Sequence, residues 1–147
     1  LLDGCLTFHR VQEPGGKTIK QAHALCDAVG RRSIGDSQIG NLLSASPMGA
    51  DGHWPAEPVR EVIDLFRSKP MIEGFQVGKR NRRGVTSRMP REGGELERKE
   101  AAKYRVWAKA IGYEYPHTAR ALDAIADDYE WESRRHDESA ERLDWEL

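Results

Sequence analysis

The chain has 147 residues, with 23 Lys and Arg against 24 Asp and Glu, a formal charge of -1, and 38% apolar residues. This length provides one domain with a single core, and the composition excludes a collagen, a disulfide-rich scaffold and a membrane protein. No apolar run approaches the roughly 18 residues that a membrane helix needs, and the first ten residues lack a basic leader, so we predict a cytoplasmic protein. Two cysteines are too few for a disulfide framework and are expected to be reduced.

Apolar residues recur at helical spacing along most of the chain, which favours a mainly α fold. The first half predicts three helices. The first covers residues 3–12 and ends at Pro14-Gly15-Gly16; the second covers residues 18–29 and ends at Gly30. The third is short, begins at Asp36 as its N-cap and ends before Pro47.

The middle of the chain predicts one further helix and an irregular segment. Pro55 and Pro58 fit the first turn of a fourth helix, because a first-turn proline gives up an N–H that has no intrahelical partner. Residues 71–77 fit either a short helix or a turn. Residues 80–94 contain three glycines and Pro90, which predicts an extended loop or a short hairpin, the only place for β structure.

Two more helices are predicted, one from Glu95 and one from Pro116 to Trp145, which would be about 45 Å long. The expected fold is a mainly α, orthogonal bundle of five or six helices with an irregular basic loop and a long C-terminal helix. We expect a single domain over residues 1–147 and allow a weak boundary near residues 47–54. The last turns, residues 130–147, are expected to protrude, fray or meet a partner.

Charge is distributed very unevenly along the chain. The segment from residue 79 to 91 contains six cations and no acid, whereas residues 121–147 contain ten acids and three arginines. Such a charge dipole can pair within the molecule, with a second copy or with an outside anion, and the sequence does not choose among these.

The basic segment is the strongest candidate site. Its guanidinium groups, amide and glycines provide the contacts that phosphates and carboxylates accept. Three alternatives remain open: binding to nucleic acid, binding to an anionic protein surface, and pairing with acids of the fifth and sixth helices. The predicted partner- or phosphate-binding residues are Lys79, Arg80, Asn81, Arg82, Arg83, Arg88 and Arg91.

Other candidate sites carry weaker patterns. Two cysteine and histidine pairs, Cys5 with His9 and His23 with Cys26, have a spacing that permits a zinc site but lack the short Cys-x-x-Cys knuckle, so ordinary core packing is favoured. A helix-turn-helix over residues 21–46 is weakened by Gly40. No linear catalytic motif is present, which leaves only an active site of scattered residues, and no cofactor is predicted.

The C-terminal helix carries a second predicted contact surface. Trp131 and Trp145 lie away from its main apolar stripe, where exposed indoles often mark protein contacts, and Leu143 lies near its end. We therefore predict Trp131, Leu143 and Trp145 as protein-contact residues, with self-association as one outcome.

Several short motifs resemble a family of small bacterial proteins with no established activity. They include Trp54-Pro55-Ala56-Glu57-Pro58, Arg83-Gly84-Val85, Glu92-Gly93-Gly94 and Tyr115-Pro116. The resemblance covers about two thirds of the chain. It implies a bacterial, cytoplasmic, stand-alone protein and assigns no catalytic residue.

The favoured function is a non-enzymatic accessory or interaction protein that docks an anionic partner through residues 79–91. The alternative is a nucleic-acid-binding protein that uses the same loop. A zinc protein, or an enzyme whose active-site residues are scattered along the sequence, ranks below both. No membrane partner is expected.

Overall fold

The computed structural model describes residues 15–89 and 91–145, with side chains described from Thr18 onward. In this part of the chain all regular structure is helical, which confirms a mainly α bundle with six described helices. They are α1 (Gly15–Ala28), α2 (Arg32–Leu43), α3 (Glu57–Phe66), α4 (Lys69–Arg82), α5 (Glu95–Ile111) and α6 (Pro116–Trp145). None of these helices combines the length and the apolar character needed to cross a membrane.

Helix α5 begins at the predicted Glu95, and α6 covers the predicted range from Pro116 to Trp145, but three other predictions need correction. Asp36 is not an N-cap, because α2 begins four residues earlier and the Asp36 carboxylate is buried inside the fold. Pro55 precedes α3, whereas Pro58 does lie in its first turn. The segment over residues 71–77 is part of a helix that continues to Arg82, so the predicted loop starts too early. The predicted helix over residues 3–12 lies outside the described residues.

The core is an aromatic cluster surrounded by aliphatic side chains from α3, α4 and α6. The Trp54 ring stacks on Phe75 at 5.2 Å and meets the edge of Tyr104 at 6.1 Å. Tyr104 in turn contacts Trp107 at 5.3 Å and Tyr129 at 5.7 Å. This cluster joins the loop after α2 to α4, α5 and α6, and it fixes the face of α6 that lies beside the basic segment.

Helices α2 and α4 approach each other closely because each presents glycines to the other helix where they cross. A Cβ at Gly40 would lie 1.9 Å from the carbonyl oxygen of Met71, and one at Gly74 would lie 2.1 Å from that of Ser37. Gly78, one turn further along α4, faces Ser44. Glycine is therefore required at these positions although it lowers helix propensity, since any side chain would push the two backbones apart.

Acids from distant parts of the chain cap two helix N-termini. Asp64 of α3 accepts hydrogen bonds from the backbone N–H groups of His117 and Thr118 at 2.9 and 3.0 Å. Asp137 of α6 accepts one from the N–H of Gly94 at 2.8 Å. A carboxylate at these positions satisfies free N–H groups and interacts favourably with the helix dipole, so these caps fix where α6 and α5 begin.

Candidate functional site

The predicted basic segment is divided between the last turn of α4 and the loop that follows it. Lys79, Arg80 and Arg82 belong to α4, and Arg83 is its C-cap. Gly84 then adopts a φ of +75°, which favours glycine, and the chain turns away from the helix axis. This turn brings Arg88, which follows Gly84, back to the same carboxylate that Arg83 contacts before it.

One group of these arginines surrounds a buried carboxylate. Glu97 in the first turn of α5 is fully buried. Arg83 Nη2 donates to its Oε1 at 2.8 Å, and Arg88 donates through both terminal nitrogens, with Nη1 3.1 Å from Oε2. We call Arg83, Arg88 and Glu97 the Glu97 cluster.

The Glu97 cluster keeps its acid ionised despite burial. Burial alone would raise the pKa of Glu97, but the hydrogen bonds from Arg88 and Arg83 outweigh that effect and lower the pKa to about 2. Arg83 also lies over the Tyr129 ring, 4.9 Å from its centroid. The cluster therefore ties the loop over residues 83–89 to α5 and α6.

Arg80 has a different environment. Its side chain is 41% exposed and contacts two acids one turn apart on α6: Nη1 is 3.1 Å from Asp128 Oδ2, and Nη2 is 2.5 Å from Glu132 Oε1. Exposed ion pairs of this kind contribute only about 0–1 kcal/mol, because water solvates the separated charges well. These contacts can therefore exchange with an outside anion at little cost, whereas those of Glu97 cannot.

A cavity of about 460 Å³ opens beside Arg80, between the end of α4 and α6. Its wall combines two guanidinium groups and an amide with one carboxylate, an aromatic ring, an aliphatic side chain and a glycine. We call this cavity the Arg80 pocket; its lining residues are Val77, Arg80, Asn81, Arg83, Gly84, Tyr129 and Glu132. The pocket thus brings together Arg80, Asn81 and Arg83, three of the seven residues predicted from the sequence.

The remaining predicted cations lie outside the pocket lining. Lys79 Nζ lies over the Trp54 ring, 4.3 Å from its centroid, and burial lowers its pKa. Arg82 Nε donates to Ser44 Oγ at 3.0 Å. Arg91 Nε lies 3.5 Å from Asp144 Oδ1 between two well-exposed side chains. Every cation of the segment therefore contacts a group of the same chain. Internal pairing with a buried acid is favoured for Arg83 and Arg88, whereas the exposed pairs of Arg80 and Arg91 are exchangeable.

The sequence did not identify Tyr129 and Glu132 as residues of this pocket. The available signal was the spacing of Asp128 and Glu132, four residues apart and therefore on one face of α6. What was missing was the knowledge that this face lies beside the end of α4.

The structure bears on only part of the zinc hypothesis, because Cys5 and His9 lie outside the described residues. His23 Nδ1 is 2.6 Å from Asp36 Oδ1, and Ser68 Oγ donates to Asp36 Oδ2 at 2.6 Å. Cys26 Sγ lies against Gly35, where a Cβ would be 2.4 Å away. Within residues 15–89 and 91–145, no three His, Cys, Asp or Glu side chains form a cluster that could hold a metal ion. His23 instead connects α1 to α2 and to the start of α4.

The predicted protein-contact residues lie on two faces of α6. Trp131 and Trp145 are 52% and 89% exposed and fourteen residues apart, close to four turns, so they share one face. Arg135 lies over the Trp131 ring at 4.7 Å. Leu143, 38% exposed, continues the inner stripe of α6 rather than the face of the tryptophans.

Comparison of the chain with family models, curated proteins and solved structures gave no match. The resemblance described above therefore remains a prediction.

Proposed function

We propose that this protein is a non-enzymatic interaction protein that binds an acidic segment of a partner protein through the Arg80 pocket. The observation that carries the proposal is the cavity of about 460 Å³ whose lining presents Arg80, Asn81 and Arg83. A carboxylate entering this cavity meets two guanidinium groups and an amide donor, which are the groups that form strong charge-assisted hydrogen bonds.

The two arginines have complementary roles in this proposal. Arg83 is only 19% exposed and is held by Glu97, so its position is fixed before any ligand arrives. Arg80 is exposed and bound by weak surface pairs, so it can transfer its hydrogen bonds to an incoming carboxylate. A fixed donor beside an exchangeable one reduces the ordering cost of binding.

Two features favour a protein partner over nucleic acid. A nucleic-acid backbone is bound by several cations that each neutralise a phosphate, but Arg83 and Arg88 are already held by the buried Glu97. The loop beyond the pocket also exposes Val85 and Met89. Arginine and methionine beside aliphatic groups are typical of protein interfaces, whereas a phosphate backbone gains little from them.

The exposed tryptophans of α6 form a second proposed contact surface. Trp131 and Glu132 are consecutive residues and therefore lie about 100° apart around the helix, so Trp131 and Trp145 share a face that differs from the pocket lining. In this proposal the two indoles contact another chain separately from the Arg80 pocket.

The first test is a titration of the whole chain with fluorescein-labelled hexaglutamate at about 50 mM salt, where exposed charges are weakly screened. We expect saturable binding that Arg80→Ala weakens by about three- to fivefold, since an ion pair to a partly exposed arginine contributes up to about 1 kcal/mol. Arg120→Ala is the matched control because Arg120 is also an exposed arginine, but it lies twelve residues before Glu132, about 18 Å along α6.

Each result of this titration decides for or against the proposal. Weaker binding in Arg80→Ala with wild-type affinity in Arg120→Ala supports it. Absence of hexaglutamate binding, or equal weakening in both variants, overturns it. Tighter binding of a single-stranded DNA of about 20 nucleotides, with the same dependence on Arg80, also overturns it and assigns the pocket to nucleic acid.

A further inference from the structure

The Arg80 pocket contains one acid, and that acid already contacts both of its arginines. Glu132 places Oε1 2.5 Å from Arg80 Nη2 and Oε2 3.5 Å from Arg83 Nη1. Its two oxygens are thus directed at two different guanidinium groups on the wall of one cavity. A ligand carboxylate bound by the same two arginines would need the same positions.

The second contact of Glu132 is weak for an identifiable reason. Arg83 is committed to Glu97 at 2.8 Å and to the face of Tyr129, so at 3.5 Å it offers Glu132 only a marginal hydrogen bond. The Glu132 side chain is also partly exposed, so it remains well solvated when it swings outward. Leaving the two arginines therefore costs Glu132 little.

Asp128 differs from Glu132 although both contact Arg80. It lies one turn earlier on α6, contacts Arg80 Nη1 and is not part of the pocket lining. When Glu132 leaves, Asp128 still holds the Arg80 guanidinium beside the cavity. The two acids thus have separate roles, one positioning Arg80 and the other filling its binding position.

We infer that Glu132 is an internal competitor that occupies, in the free protein, the position of the partner's carboxylate. This inference rests on the proposed function. It identifies the ligand group as the side-chain carboxylate of an acidic residue, because the group that occupies the pocket between the two arginines is itself such a carboxylate. Binding of a partner then exchanges one carboxylate for another and leaves the net number of ion pairs unchanged.

The test compares Glu132→Gln with Asp128→Asn in the hexaglutamate titration. Each variant removes one negative charge of α6 that contacts Arg80. A general charge effect would therefore tighten binding equally in both variants. We expect Glu132→Gln to bind at least about threefold more tightly than wild type, as removal of an exposed ion pair allows. Asp128→Asn should bind no more tightly than wild type, because the loss of the acid that positions Arg80 offsets any gain from removing a negative charge.

The outcomes separate this inference from the proposed function. Equal affinities of the two variants, with binding still dependent on Arg80, overturn the inference and leave the proposed function standing. Failure of wild type and both variants to bind hexaglutamate overturns the proposed function itself. A circular dichroism melt of each variant verifies that it is folded. If Glu132→Gln is not folded, Glu132→Ala is used in its place.

Discussion

Replacement of Glu97 by alanine is expected to lower the free energy of unfolding by about 3–5 kcal/mol, the usual cost of removing one partner of a buried ion cluster. The reason is that Arg83 and Arg88 would both keep largely buried guanidinium groups without their main acceptor. Urea denaturation followed by circular dichroism measures this loss. Glu95→Gln is the control, because Glu95 lies in the same turn of α5 with an exposed side chain.

The same carboxylate should make stability depend on pH. The pKa of Glu97 is about 2 in the folded protein against an ordinary 4.5, so its contribution is complete above about pH 5 and is lost as the pH falls towards 2. The difference corresponds to about 3 kcal/mol. Glu97→Gln should therefore lose less stability than wild type over this interval. Equal acid sensitivity of Glu97→Gln and wild type would show that the Glu97 cluster does not stabilise the fold.

Gly40→Ala is expected to destabilise the protein by about 3 kcal/mol, at the upper end of the cost of overpacking a core. Its Cβ would overlap the backbone of Met71 and approach the Phe75 nitrogen to 2.8 Å, so α2 and α4 would have to separate. The sign of the effect is informative, because alanine at an uncrowded helix position would stabilise by about 1 kcal/mol through propensity.

Gln38→Ala provides the comparison for Gly40→Ala. Gln38 is an exposed residue of the same helix, and its replacement should change stability by no more than about 0.5 kcal/mol. Urea denaturation of both variants distinguishes the two positions. If Gly40→Ala is as stable as Gln38→Ala or more so, the close crossing of α2 and α4 does not constrain the fold.

Local signals predicted some helices well and failed on others. Pro116 and the acids near Glu95 marked the starts of α6 and α5, because these signals act through the backbone of the same turn. The length of α4 was missed because Gly74 and Gly78 weaken its apparent helix propensity. These glycines are required by the close approach of α2, whose contacting residues lie more than thirty positions earlier in the sequence. Asp36 was misassigned for the same kind of reason: a local N-cap signal was overridden by contacts with His23 and Ser68.

The sequence located the candidate site but could not show which of its arginines are held by a buried acid and which are exchangeable. The charge count identified the basic segment, and three of its residues do line a pocket. Which arginines are held and which are exchangeable depends on where the fold places their acids: the buried Glu97 lies beside Arg83, and the partly exposed Glu132, 52 residues after Arg80, lies beside Arg80. Charge patterning gives the sign of a segment's charge but not its ion-pair partners. The Glu97 cluster and the Arg80 pocket can therefore be told apart only once the fold is known.

NMR of the arginine side-chain Nε–H signals, recorded on the whole chain during titration with hexaglutamate, tests most directly which arginines bind the ligand. The structure places Arg80 on exchangeable surface contacts and Arg88 on the buried Glu97. The predicted result is a progressive shift of the Arg80 signal while that of Arg88 stays in place. Equal shifts of both signals, or a shift of Arg88 alone, would contradict the account.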